Sequence, residues 1–464
     1  MSETETREAI ETLNPATGQS LNHYEHMTDE EVSEAIEKCH QAFKTWREVT
    51  PKDRAKVIKA IGKELINAKE ELAQLMTDEM GKTLVQSRQE VDLCAAICEY
   101  TADIGPDGLK TEEREMANGN RGRVSYAPIG VVYGIQPWNY PSYQVVRYSI
   151  ACLMGGNAVL LKHGSNVTGS GKLLERIYRE TDIPDGLFTN LVISHDQSDD
   201  VIKHKLVRGV TFTGGPEIGS HIGQIASAEL KKTVLELGAN DAYMVFEDAD
   251  IDEAVEACVK GRIYNNGETC IAAKRFIATE KVYDEFREKF VKAMSEVKLG
   301  DPNDESTELG PLAREDLRDN LHEQVEKSVE NGARIACGGK IPAGEGFFYP
   351  ATVLENVQPG QPAYDDELFG PVASLIKAKD NEDAMRIAND SRYGLGGGIF
   401  SKDEDAAIEM AEKHFDTGMV FINTFGIADP VMPFGGVKNS GYGREHGGFG
   451  LKEFVNVKSV MIKQ

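Results

Sequence analysis

The sequence predicts an α/β fold with mostly parallel sheets, and three observations carry that reading. From residue 130 onward, apolar segments of four to six residues alternate with stretches of helical period, the order that βαβ units produce. Segment 130–135 is apolar and β-branched without polar alternation, as a strand buried on both faces is. A chain of 464 residues also suffices for two or three domains around a large core.

The first third reads as helices. Thr28 and Glu31 form a capping box ahead of a run that puts Val32, Ala35, Ile36, Cys39, Ala42, Phe43 and Trp46 on one face. Thr50-Pro51 opens a second helix, with Val57, Ile58, Ile61, Leu65 and Leu72 as its apolar stripe. A third pattern covers about 83–102, and a polar stretch follows at 110–121. Expected strands are 123–126, 130–135, 158–161, 190–193, 209–212, 243–246, 276–278, 372–376 and 419–422. Expected helices lie at about 167–180, 217–228, 250–265, 282–296, 313–331, 381–389 and 403–413. There is no internal repeat and no low-complexity linker; a domain seam is placed after Leu237-Gly238.

The formal net charge of −25 argues against nucleic acid or an anionic membrane as the main partner. It fits a cytoplasmic protein, salt-adapted or simply acidic. Neither a run of 18 apolar residues nor a basic-then-apolar leader occurs. The seven cysteines are scattered and odd in number, which predicts reduced thiols in a cytoplasm. Cys94 and Cys98 lie one helical turn apart, but no nearby histidine completes a metal site, so they are read as packing and no metal is expected.

Four segments could do chemistry. In Pro137-Trp138-Asn139-Tyr140-Pro141, two prolines fix the backbone around an amide after a buried strand. Asn139 is then either an oxyanion donor or the cap of a structural turn. In Asn265-Asn266-Gly267-Glu268-Thr269-Cys270, the thiol follows a polar loop. It is either a reachable nucleophile or an inert small residue. In Leu235-Glu236-Leu237-Gly238, a carboxylate sits among leucines. It is either a desolvated general base or the partner of a buried cation. Finally, Gly214-Gly215 follows a strand and precedes a helix, a setting in which backbone N–H groups can hold a pyrophosphate or simply make a turn.

In order along the chain, these segments resemble the aldehyde dehydrogenase superfamily. The resemblance rests on Asn-Pro-Ala-Thr-Gly at 14–18, Pro-Trp-Asn-Tyr-Pro at 137–141, Leu-Leu-Lys at 160–162, Phe-Thr-Gly at 212–214 and Leu-Glu-Leu-Gly at 235–238. It continues with Asn-Gly-Glu-Thr-Cys at 266–270, Glu-Leu-Phe-Gly-Pro at 367–371 and Pro-Phe-Gly-Gly-Val-Lys-Asn-Ser-Gly at 433–441. The resemblance implies that Cys270 attacks the aldehyde carbon, that Asn139 and the Cys270 N–H hold the oxyanion, and that Glu236 activates water. It implies NAD or NADP as cofactor, with Lys162 at the adenosine ribose, Ser165 near its 2′ position and Gly214 at the pyrophosphate. Glu367 and Phe369 would face the nicotinamide ribose, with Trp138 beside them. With Ser165 in place of an acidic residue, nothing excludes a 2′-phosphate. Gly215 stands where the family often has Ser, and Ala239 where it usually has Gly.

Leu-Leu-Lys-His-Gly-Ser-Asn-Val at 160–167 is most similar to succinate-semialdehyde dehydrogenases. That resemblance implies Arg147 as the clamp for the distal carboxylate; the alternative for Arg147 is an ion pair. Tyr264 stands where some such enzymes carry a second Arg, and Asp429 sits in the expected substrate-anchoring loop at about 424–432. The competing readings are a broad-specificity enzyme for aliphatic or aromatic aldehydes, a CoA-acylating relative and a noncatalytic scaffold of the same fold. The expected architecture has an NAD(P)-binding, Rossmann-like domain at 1–109 and 129–237 and a catalytic α/β domain at 238–438. Oligomerisation β-segments at 110–128 and 439–464 would build a homodimer or homotetramer.

Overall fold

The structure, a computed structural model, describes residues 8–117 and 119–463. It is built on two parallel sheets. In the first, five parallel strands run in the spatial order Lys232–Glu236, Val207–Thr213, Val131–Gln136, Ala158–His163, Phe188–Asn190. The two-residue strand Gly441–Tyr442 closes one edge antiparallel, Gly441 opposite Glu236. In sequence order this is the doubly wound 3-2-1-4-5 arrangement, which reverses between Val131–Gln136 and Val207–Thr213. A crevice outside the carboxyl ends of the strands opens at such a reversal. Both Pro137-Trp138 and Gly214-Gly215 emerge there.

The second sheet has seven strands: Arg334–Cys337, Thr352–Glu355, Val372–Ala378, Arg275–Thr279, Ala242–Val245, Gly397–Phe400 and Phe421–Ile422. All are parallel except the first. Its strand Ala242–Val245 is buried at every residue, so it has no polar alternation. A third sheet of three antiparallel strands, Val455–Ile462, Arg121–Pro128 and Glu112–Glu115, stands apart from both.

The helical expectations hold in kind and shift at their ends. The Thr28–Glu31 capping box is present and starts the helix Asp29–Trp46, whose buried face includes Val32, Ile36, Cys39 and Trp46. The stripe from Val57 to Leu72 belongs to two helices, Pro51–Asn67 and Lys69–Met80, broken at Ala68. The helix expected at 83–102 runs over Leu84–Gly108 and carries Pro106 in its last turn.

Some elements escaped the sequence reading. The N-terminal strands Ala9–Leu13 and Ser20–Glu25 pair around the Asn-Pro-Ala-Thr-Gly turn, where Gly18 has φ 71°. Both strands are short, mix apolar with polar residues and are largely exposed, so they lack a continuous apolar signature. The helix His195–Lys203, with its Ser194/Gln197 capping box, was also unforeseen, as were Arg334–Cys337 and Thr352–Glu355. The strand expected at 190–193 ends at Asn190.

Candidate active site

Strand Val131–Gln136 delivers residues 137–141 to the crevice, and the helix Tyr143–Met154 follows. The turn is held from several sides. Glu90 accepts the Ser142 and Tyr143 N–H groups, each at 2.8 Å, so a carboxylate from another helix caps this one. Glu90 in turn pairs with buried Lys82 at 2.5 Å, and the Lys82 ammonium lies 4.1 Å from the Tyr140 ring centre. Burial pulls the His163 imidazole down to about 4, so it is neutral. Its Nε2–H therefore donates to the Pro141 carbonyl at 2.8 Å, while Nδ1 accepts the Gly164 N–H at 3.0 Å. Asn139 is left buried, its Nδ2 donating to the Glu268 carbonyl at 3.0 Å.

The loop that leads to Cys270 is a sequence of unusual backbone. After the helix Ile251–Ile263, the residues Asn265, Asn266 and Gly267 all have positive φ, at 55°, 58° and 74°. Asparagine tolerates that region by bonding locally. Asn265 Nδ2 reaches the carbonyls of Asn139 and Glu268, and Asn266 Nδ2 those of Gly81 and Pro311. At Gly267 a Cβ would lie 2.4 Å from the Gly370 backbone, so only glycine fits. The Glu268 carbonyl, two residues before Cys270, thus accepts from both Asn139 Nδ2 and Asn265 Nδ2. Cys270 is half-buried, whereas Cys39, Cys94, Cys98, Cys152 and Cys258 are buried in the core. Burial pushes the Cys270 thiol up to about 12, and the cations of Arg147 and Lys274 oppose that push.

Glu236 ends the strand Lys232–Glu236 of the first sheet, buried, with neither carboxyl oxygen hydrogen-bonded among the described residues. Burial, then the neighbouring Glu445 carboxylate, raises it well above the ordinary range; Arg147 and Arg444 act the other way. Of the two readings for this residue, the structure favours the desolvated carboxyl over the hydrogen-bonded partner of a cation. Its carbonyl accepts the Gly214 N–H at 3.0 Å.

Arg147 makes the ion pair that was its alternative reading: among the described residues it holds the carboxylate of Glu445, at 2.5 Å from Nε. Its Nη2 donates to Thr213 Oγ1 at 3.1 Å, and its guanidinium packs 4.7 Å from the Phe434 ring centre. Nη1 is buried without a hydrogen-bond partner among the described residues. Glu445 was not foreseen, because nothing in Gly-Arg-Glu-His-Gly marks it as buried. Tyr264 Oη donates to Gln89 Oε1 at 3.3 Å, and Asp429 is on the exposed loop, its carboxylate receiving the Val431 N–H.

The residues expected at the cofactor gather at the same carboxyl edge. Trp138 and Phe369 meet edge to face, ring centres 5.8 Å apart. Glu367 Oε1 lies 3.3 Å from the Lys274 ammonium, which sets the carboxylate at this edge. Lys162 is near the end of its strand, its pKa lowered by burial, and Ser165 is exposed two residues beyond the strand. The helix Pro216–Ala228 begins without a side-chain cap, and a Cβ on its cap residue Gly215 would meet nothing within 4 Å. Free N–H groups at an uncapped helix start, with open space in front, suit a pyrophosphate. Among the described residues no cluster of His, Cys, Asp and Glu could hold a metal ion.

Residues 1–460 match the model of the aldehyde dehydrogenase family. The chain is 44% identical over 448 residues to the succinate semialdehyde dehydrogenase [NAD(P)+] of Escherichia coli (strain K12), covering 97% of this chain and 96% of that one. It is 41% identical over 451 residues to the succinate-semialdehyde dehydrogenase [NADP(+)] of Deinococcus radiodurans, with 97% and 94% covered. The crystal structure of succinic semialdehyde dehydrogenase from Streptococcus pyogenes in complex with NADP+ superposes with a TM-score of 0.96 at 36% identity, covering 98% of this chain and 100% of that one.

Proposed function

This chain belongs to the aldehyde dehydrogenase family, and from that premise we propose that it oxidises succinate semialdehyde to succinate with NAD or NADP. The observation that carries the substrate reading is Arg147: a buried guanidinium that acts on both Cys270 and Glu236 and keeps an unpartnered Nη1. A carboxylate reaching that donor gains a charge-assisted hydrogen bond, about 1.5–3 kcal/mol.

Cys270 Sγ, once deprotonated, forms the C–S bond to the aldehyde carbon, and the carbonyl electron pair moves onto oxygen. Asn139 Nδ2 and the Cys270 N–H stabilise that oxyanion. NAD(P), when bound, supplies the hydride acceptor. Glu236 removes a proton from the water that releases the acid from Cys270 Sγ. Lys162, Ser165 and Gly214 hold the adenosine and pyrophosphate end, and Glu367, Phe369 and Trp138 the nicotinamide end. An exposed Ser165 leaves room for a 2′-phosphate, so both cofactors are accepted.

The cofactor unit is residues 1–109 and 129–237 and the catalytic unit 238–438, each centred on one parallel sheet. The strands Arg121–Pro128 and Val455–Ile462 serve assembly into a homodimer or homotetramer. Val457, Val460 and Met461 on the open edge are exposed, which supports that role. No helix among the described residues is long and apolar enough to cross a membrane, and the free thiols support a cytoplasmic location.

A steady-state matrix of aldehydes against NAD and NADP tests the reading. Succinate semialdehyde should show the highest kcat/KM, and Arg147→Ala should lower its kcat/KM about tenfold to a hundredfold more than it lowers that of uncharged butanal. Equal kcat/KM for butanal and succinate semialdehyde would establish the broad-specificity reading instead.

A further inference from the structure

Lys274 sits where the nucleophile loop enters the second sheet, one residue before the strand Arg275–Thr279. Its main chain is fixed on both sides: its N–H donates to the Asp241 carbonyl at 3.1 Å, and its carbonyl accepts the Ser374 N–H at 3.0 Å. The side chain is 1% exposed and turns back on the loop it follows. Its Nζ donates to the carbonyls of Cys270 at 2.6 Å and Thr269 at 3.2 Å, with Ala272 at 3.5 Å. The Glu367 carboxylate, 3.3 Å away, supplies the countercharge.

The Thr269 carbonyl belongs to the same peptide group as the Cys270 N–H. A cation on the oxygen of an amide draws electron density from its nitrogen and makes the N–H a stronger donor. The ammonium also clamps Cys270 from its carbonyl side, which fixes the direction of that N–H. We propose that Lys274 is a positioning residue for the acylation step: it orients and polarises the Cys270 N–H and joins the nucleophile loop to Glu367 as one rigid unit. This role rests on the assignment of Cys270 as the nucleophile.

The test compares Lys274→Met, Lys274→Gln and Lys274→Arg with Cys270→Ala in the full-length enzyme. The readouts are the pre-steady-state NAD(P)H burst and the pH profile of Cys270 alkylation by iodoacetamide. The thiol is faced by Arg147, Lys274, Glu367 and Asp241, and by the phenols of Tyr140 and Tyr143. Loss of one of its two cations should therefore move the profile to higher pH. Lys274→Met should slow the burst about tenfold to a hundredfold, less than or equal to the loss of a direct oxyanion donor. Lys274→Arg should recover more of the burst than Lys274→Gln, because it restores the charge.

Should Lys274→Met fail to fold, Lys274→Gln reports the same charge loss with a donor retained. A folded Lys274→Met or Lys274→Gln enzyme with a wild-type burst and alkylation profile overturns the proposal, even if its melting temperature falls. Equal bursts in the Gln and Arg variants also overturn it. Turnover surviving in Cys270→Ala instead removes the assignment on which the role rests.

Discussion

At the scale of single residues, two buried carboxyls and one thiol share one guanidinium. Cys270, Glu236 and Glu445 all lie within the influence of Arg147, whose one charge is already met by Glu445. Burial, more than any neighbour, makes both Cys270 and Glu236 harder to ionise than an exposed thiol or carboxyl. The base form of Glu236 grows as pH rises, so kcat should rise with pH from neutrality wherever release of the acid limits turnover; a flat kcat profile would count against Glu236 as the base. Glu236→Gln should keep a burst of NAD(P)H and lose steady-state turnover by about a hundredfold or more, read by stopped-flow absorbance. Glu445→Ala leaves Arg147 without its countercharge and should destabilise the fold by about 3–5 kcal/mol in denaturant titration. Sequence alone set Cys270 apart from Cys258, because it follows a polar loop containing Gly and not an apolar helical face, yet left it open between a nucleophile and an inert residue. It left Arg147 open, because its partner Glu445 comes from 298 positions along the chain. Lys274 had a faint signal: a lysine and an arginine at the mouth of an apolar strand, where only paired charges survive burial.

Elements were legible in proportion to how apolar they are. The central strands, such as Ala158–His163 and Ala242–Val245, stand out because both faces are buried. The hairpin Ala9–Leu13 with Ser20–Glu25 does not, since neither face is. Ala68 broke one expected helix in two because a continuous apolar stripe says nothing about the direction of the axis. The nucleophile loop illustrates the converse: its residues are readable, yet its three positive φ angles are a consequence of contacts from distant carbonyls. Gly267→Ala should cost about 2–4 kcal/mol, combining a left-handed alanine with a clash against the Gly370 backbone, and thermal unfolding would measure it. Thr28→Ala removes one half of a capping box on an exposed helix end, and the same measurement should return about 1 kcal/mol.

At the scale of the whole molecule, buried neutral histidines make the fold acid-sensitive. His163 is held at about 4 against an ordinary value of 6.5. The unfolded chain thus binds a proton that the folded chain refuses. Stability is full above pH 6.5 and falls as pH drops toward 4, by about 3 kcal/mol from this residue. Urea midpoints across that range should show the slope, and His163→Gln should flatten it. The doubly wound order of the first sheet follows from strand–helix alternation plus right-handed crossovers. The strand Val455–Ile462 pairs with Arg121–Pro128 across more than 300 positions, a contact that no local pattern encodes. Met461→Lys on its open edge should lower the mass seen by light scattering, if that edge joins two copies.

One hydrogen bond spans two tasks. The Gly214 amide, in the turn where a pyrophosphate would rest, donates to the carbonyl of Glu236. Tension on that turn is thus felt one peptide away from the carboxyl that waits for water. The turn proposed for the pyrophosphate and the carboxyl proposed to activate water are therefore tied by one main-chain thread, so a substitution that distorts either end is expected to disturb both.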